Sequence, residues 1–175
     1  PELTVPQWRD ISANAGCCFA AELREDGSLA PLPRAGRSYY PEELSELMKY
    51  KGKTNADFTR LLLHCARAAS GFAQSDAPLT VLDPMCGKGT TLFCALEEGD
   101  HAVGMDVDAK ALLEADQLLG RSLKMNRLKH KREESSLTVP KGKPVRSVGY
   151  RLSTSLEGWK NGDERTFRLL NGDLG

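Results

Sequence analysis

Two short stretches restrict this chain more than any other part of it: Val81-Leu82-Asp83-Pro84-Met85-Cys86-Gly87-Lys88-Gly89-Thr90-Thr91, and Gly104-Met105-Asp106 shortly after. An apolar run enters a glycine turn, a helix-length apolar segment follows, and a second apolar run ends on an acid. That order predicts strand, turn, helix, strand. Gly87 and Gly89 carry no Cβ, so the backbone can turn tightly there and approach a ligand closely. An acid at the tip of the following strand can accept hydrogen bonds from both hydroxyls of a ribose. The pattern predicts a cradle for an adenosine-type cofactor across the ends of two neighbouring parallel strands.

Three cofactor classes use a glycine turn after a first strand. A nucleotide P-loop needs lysine directly before Ser or Thr, whereas Lys88 precedes Gly89, so that class is rejected. A dinucleotide fingerprint needs a third glycine for close helix–strand packing, and Leu92 stands in its place. NAD remains a minor alternative. S-adenosylmethionine has no phosphate and presents a ribose, an adenine, a sulfonium and an amino-acid end. Asp83 would suit its cationic groups but repel a pyrophosphate. The helix starting near Gly89 would offer free amides to its carboxylate.

The segment Asp83-Pro84-Met85-Cys86-Gly87-Lys88-Gly89-Thr90-Thr91 resembles the Asp-Pro-x-Cys-Gly-x-Gly-Thr turn of Rossmann-like methyltransferases. It is most similar to an RNA methylase family that includes enzymes acting on tRNA and rRNA bases, over roughly residues 49–131. The resemblance implies cofactor contacts at Asp83, Gly87, Gly89 and Asp106, with Pro84, Met85, Cys86, Thr90 and Val107 beside them. It further implies an adenine contact from Asp173 of Asn171-Gly172-Asp173, although that tripeptide is also an ordinary turn. By the same analogy Lys53 and Thr54 would touch the cofactor carboxylate; equally, Thr54 caps a helix and Lys53 is solvated. Amino-methyltransferases of this kind carry an Asn/Asp-Pro-Pro/Leu-Tyr/Phe segment after a fourth strand, and no such tetrapeptide occurs here. Cofactor residues can therefore be named and catalytic ones cannot.

The rest of the chain fills in a domain of α/β type. Pro41 to Met48 reads as a short helix. Phe58, Leu61, Leu62, Cys65, Ala66 and Ala69 recur at the spacing of one buried helical face, with Thr54 or Asn55 as N-cap. Gly89–Glu98 reads as a helix stopped at Gly99, and Ala102–Val107 as the second strand. Asp108 caps a further helix with Leu112, Ala115, Leu119 and Leu123 inward. Its tail is basic through Arg121, Lys124, Arg127, Lys129, Lys131 and Arg132, a run that would meet RNA phosphates or simply be a solvated face. Residues 135–144 read as a loop, and 145–153 and 166–170 as strands about a turn at Asn161-Gly162-Asp163.

Lys plus Arg and Asp plus Glu are equal at 24 each in the 175 residues, so net charge names no partner. Five cysteines without paired metal spacing, and three scattered histidines, predict no metal site and a reducing, cytoplasmic setting. Cys86 is expected to pack as a small apolar residue, not to act as a nucleophile.

These observations predict a Rossmann-like parallel sheet with flanking helices, incomplete on its C-terminal side and expected to be truncated, over residues 41–175. Residues 1–40 form a small N-terminal appendage with a hairpin. The implied function is S-adenosylmethionine-dependent methylation of a base, in RNA more than DNA. The alternative is a non-catalytic adenosyl-ligand-binding subunit completed by a partner; an NAD-dependent oxidoreductase ranks below both.

Overall fold

The apolar runs at 80–83, 101–106 and 165–171 become adjacent parallel strands of one five-stranded sheet in the computed structural model of the chain. The structure describes residues 4–5, 7–8, 11, 17, 19–32, 39–41, 44–75, 77–138 and 144–173. Its elements run β1 (Ala21–Leu23), β2 (Leu29–Pro31), α1 (Leu44–Leu47), α2 (Ala56–Ala69), β3 (Thr80–Asp83), α3 (Thr90–Glu97), β4 (His101–Asp106), α4 (Ala109–Met125), β5 (Lys129–Leu137), β6 (Val145–Ser153), α5 (Leu156–Asn161) and β7 (Arg165–Asn171).

β1 and β2 pair as a separate antiparallel hairpin, turned by Gly27 at φ 79° and by the Asp26 carboxylate accepting from the Ser28 amide at 2.9 Å. That is the hairpin expected in the first forty residues. Tyr39 and Tyr40 leave the appendage for the core. The Tyr39 amide donates to the Glu97 carbonyl, and Tyr40 is fully buried with its hydroxyl 3.1 Å from that of Ser122.

The large sheet has the order β3-β4-β7-β6-β5. Its expected parallel character is confined to β3, β4 and β7; β6 and β5 are antiparallel additions, so the sheet is mixed. α3 and α4 pack on it, with Leu92, Phe93, Leu96, Leu119, Leu123, Leu152 and Phe167 almost wholly buried and Phe93 stacked on Phe167 at 5.4 Å. The inward face expected of α4 is the one observed. Asp108 caps it by accepting from the Lys110 and Ala111 amides.

Three expectations are corrected. The basic tail is not one helix: α4 stops at Met125, Arg127 adopts φ 53°, and Lys129–Leu137 is a strand. The expected loop at 135–144 therefore begins only after Leu137, and residues 139–143 lie outside the described residues. β5 escaped notice because it lacks apolar alternation. Its pairing is supported instead by Arg146 on Glu134 across the strands and by Arg132 on Asp116 of α4. The turn between the last two strands likewise holds a short helix, α5, capped by Ser155 and ended by Gly162 at φ 76°.

The third correction is α2. Its N-cap is Asn55, as allowed, but Phe58, Leu61, Leu62, Cys65, Ala66 and Ala69 face outward. Besides Ala56 and Leu63, the inward face is polar: Arg60 bonds Glu97 at 2.8 Å, His64 bonds Glu98 at 2.7 Å and Arg67 sits 3.5 Å from Asp100. Buried Glu97 also accepts from the Ser45 amide and hydroxyl, so its carboxylate is hydrogen-bonded from several sides. Ion pairs to the end of α3 and the residues after it, together with Ala56 and Leu63, line the face that hydrophobic periodicity assigned to solvent.

Candidate cofactor site

The glycine turn sits where β3 ends and α3 begins, and its backbone is fixed to the neighbouring strand. The Cys86 amide donates to the Met105 carbonyl at 2.9 Å, and the Gly89 amide to the Cys86 carbonyl at 2.8 Å. Asp83 accepts from the Met85 amide at 3.1 Å, an Asx-type contact that starts the turn. Gly87 and Gly89 have φ of 53° and 85°, a region that other residues enter at a cost of about 1–2 kcal/mol. A Cβ on Gly87 would meet nothing within 4 Å, so this position faces open space.

Asp106 ends β4 directly opposite. Its carboxylate accepts from the Gly87 amide at 2.7 Å and from the Asp108 amide at 2.8 Å. A carboxylate offers about four lone-pair sites, so about two remain for hydroxyls. The acid thus has two duties, holding the glycine turn and presenting free acceptors beside it.

The third strand joins the same edge. Asn171 donates its side-chain amide to the carbonyls of Asp106 and Val107, and the Gly172 amide donates to the Asp106 carbonyl at 3.1 Å. Asn171-Gly172-Asp173 is therefore tied to the β4 end rather than being a free turn, and Asp173 and the Val107 side chain are both exposed there. Asn171 escaped the sequence reading, since only the register β4–β7 reveals it.

α3 opens at Gly89 with no side-chain cap, and buried Thr90 is its first residue. Its early amides lie beside the turn. Pro84 and exposed Met85 flank the turn on the outer side. Cys86 is buried, with burial pushing its thiol up to about 12, which fits packing and not nucleophilic attack. Leu92, in the third-glycine position, is fully buried and would collide, together with Cys86, with any Cβ at Gly104. The close packing expected of a third glycine is thus supplied by Gly104, on the strand instead of the helix.

Two residues take unexpected partners. Lys53 pairs with Glu46 at 2.8 Å, and Thr54 is exposed but not the cap. Lys88, unassigned by sequence, bonds Glu114 of α4 at 2.5 Å and lies over the Tyr50 ring at 4.5 Å. It clamps the turn between α4 and the segment leading to α2.

The basic residues are not gathered at this edge. Arg121 and Lys124 lie at the far end of α4, which spans 17 residues or about 25 Å, with Arg127 and Lys129 just beyond. Lys131 pairs with Glu133, and Arg132 with Asp116 and Glu134; Arg121, Lys124, Arg127 and Lys129 are exposed and, among the described residues, form no ion pair.

Among the described residues no cluster of His, Cys, Asp or Glu is disposed to hold a metal ion, and no helix is long and apolar enough to cross a membrane. What the fold defines is an α/β protein with a five-stranded mixed sheet, flanking helices and a strand–glycine turn–helix site facing an acid on the next strand. Comparison with family models, curated proteins and solved structures finds no match to this chain.

Proposed function

We propose that this site binds S-adenosylmethionine and that the chain is the cofactor-binding part of a Rossmann-like methyltransferase acting on a nucleic-acid base, RNA before DNA. The observation that carries the reading is the 2.7 Å bond between the Gly87 amide and Asp106, beside a glycine that faces open space. It supports a ligand with vicinal hydroxyls at Asp106 and a backbone-hugging tail at Gly87. The cofactor supplies a methyl group on a sulfonium.

Asp106 would orient the ribose through its remaining lone pairs, and Val107 would give the adenine an apolar surface with Asp173 at its polar edge. The early amides of α3 at Thr90 suit a carboxylate, and Asp83 suits an ammonium. Leu92, filling the space where a pyrophosphate would approach the helix, speaks against a dinucleotide. No group for deprotonating or holding the acceptor is assigned. That no described strand pairs with the outer edge of β3 favours, as a second reading, a subunit whose acceptor site is completed by a partner.

Calorimetric titration with S-adenosylmethionine, S-adenosylhomocysteine and NAD tests this directly. Binding of the first two and not the third is expected. Tighter binding of NAD, or binding of none, would remove the proposal.

A further inference from the structure

We infer that Asn171 is a positioning residue that sets which base the ligand carries. By tying the end of β7 to the end of β4, it makes the site choose an amino-purine over a keto-purine. The inference rests on the proposed function, since it concerns the base attached to the ribose assigned to Asp106.

Asn171 stands opposite Asp106 in the β4–β7 register. Its side-chain nitrogen lies 3.1 Å from the Asp106 carbonyl oxygen and 3.2 Å from that of Val107. Both partners can only accept, so the amide has one workable orientation, with its NH2 group toward β4. The Gly172 amide adds a third bond, 3.1 Å to the Asp106 carbonyl. Gly172 is also packed so closely that a Cβ there would come within 3.2 Å of Val145. The run from Asn171 to Asp173 is therefore held on more than one side.

These bonds fall between the residues that a nucleoside would use. Asp106 also receives the Gly87 and Asp108 amides on its carboxylate, so it is fixed at side chain and backbone alike. Val107 follows directly, with its apolar side chain 68% exposed one residue from the ribose acid. Asp173, exposed two residues beyond Asn171, brings a carboxylate to the same edge. A base resting on Val107 with its six-position toward Asp173 meets an acceptor. An amino group there donates to it, whereas a keto oxygen would set two acceptors against each other. The spacing of Val107 and Asp173 decides whether that contact forms, and Asn171 is the side chain that bridges the two strand ends.

Calorimetry with S-adenosylhomocysteine and S-inosylhomocysteine, which differ at that position, tests the inference. The unaltered chain is expected to bind the inosine compound at least about tenfold more weakly, within the range for a buried acceptor left unpaired. Asn171→Leu, similar in shape but without donors, is expected to bring the two affinities to within about threefold while the chain stays folded. Asn171→Ser, smaller and with one donor, should fall between them, and it decides the matter if the leucine variant does not fold. An Asn171 with a merely structural role would weaken both ligands alike and preserve their ratio. That result would overturn the inference, as would a ratio near one in the unaltered chain. An unaltered chain that binds neither compound would instead remove the proposed function, and this inference with it.

Discussion

Asp106 is a carboxylate whose structural contacts are fixed in the fold and whose ligand role belongs to the proposed function. It receives the Gly87 and Asp108 amides, so it fixes the turn and the entry to α4 before any ligand arrives. Asp106→Ala removes both bonds along with any ribose contact. It is expected to weaken S-adenosylhomocysteine binding by about 1–3 kcal/mol and to lower the urea midpoint as well. Calorimetry on the folded variant reads the first effect, and unchanged affinity would end the ribose assignment. Gly104 was legible as part of a motif but not in its role. Only the positions of Leu92 and Cys86 show that β4 must lack a side chain there. Lys53, a ligand group by resemblance, has in the fold a partner the sequence did not reveal, Glu46.

Among the elements, α2 and β6 are held by polar contacts that periodicity does not register. His64 of α2 donates to Glu98, and that bond raises its pKa above the ordinary 6.5, with burial and the nearby Arg67 and Arg60 opposing. A raised folded pKa means the contribution is complete below the unfolded value, about 6.5, and is lost as pH rises through the folded one. The ring titration followed by NMR should lie above 6.5 and fall in Glu98→Gln. The stability difference between the two proteins should shrink on going from acid to alkaline pH. A His64 midpoint unmoved by Glu98→Gln would discard the pair as a pH-sensitive link.

On β6, the Tyr150 hydroxyl donates to buried Asp116 at 2.6 Å, and Arg132 grips the same carboxylate with two bonds. Burial alone would raise the Asp116 pKa, but Arg132 and Tyr150 outweigh it and lower it. Tyr150→Phe leaves one acceptor less satisfied and should cost about 1–3 kcal/mol in urea unfolding, without altering ligand affinity. An unchanged midpoint would mean that Arg132 alone suffices.

The whole molecule separates two properties that sequence had placed in one argument. The glycine turn and Asp106 occupy one end of the parallel strands, while Arg121 and Lys124 lie toward the far end of α4, about 25 Å long, and Arg127 and Lys129 just beyond it. If that patch meets RNA phosphates, Lys124→Glu with Arg127→Glu should reduce RNA affinity and flatten its salt dependence, yet leave S-adenosylhomocysteine binding intact. Filter binding across a salt series checks the first part and calorimetry the second. RNA binding that survives the double reversal would move the interface elsewhere.

The sequence by itself determined the strand–turn–helix–strand unit, the cap at Asp108 and the buried face of α4. Each rests on neighbours in the chain: apolar spacing, a capping side chain, or glycine where φ must be positive. Tertiary structure decided the rest. It put β6 and β5 antiparallel beside β7, turned a basic tail into β5, and drew Asn171 onto Asp106. It also turned α2 so that Arg60, His64 and Arg67 face α3 and its apolar stripe faces out. Those outcomes depend on charges and hydrogen bonds between residues dozens of positions apart, and no local period in a chain records which distant acid an arginine will find.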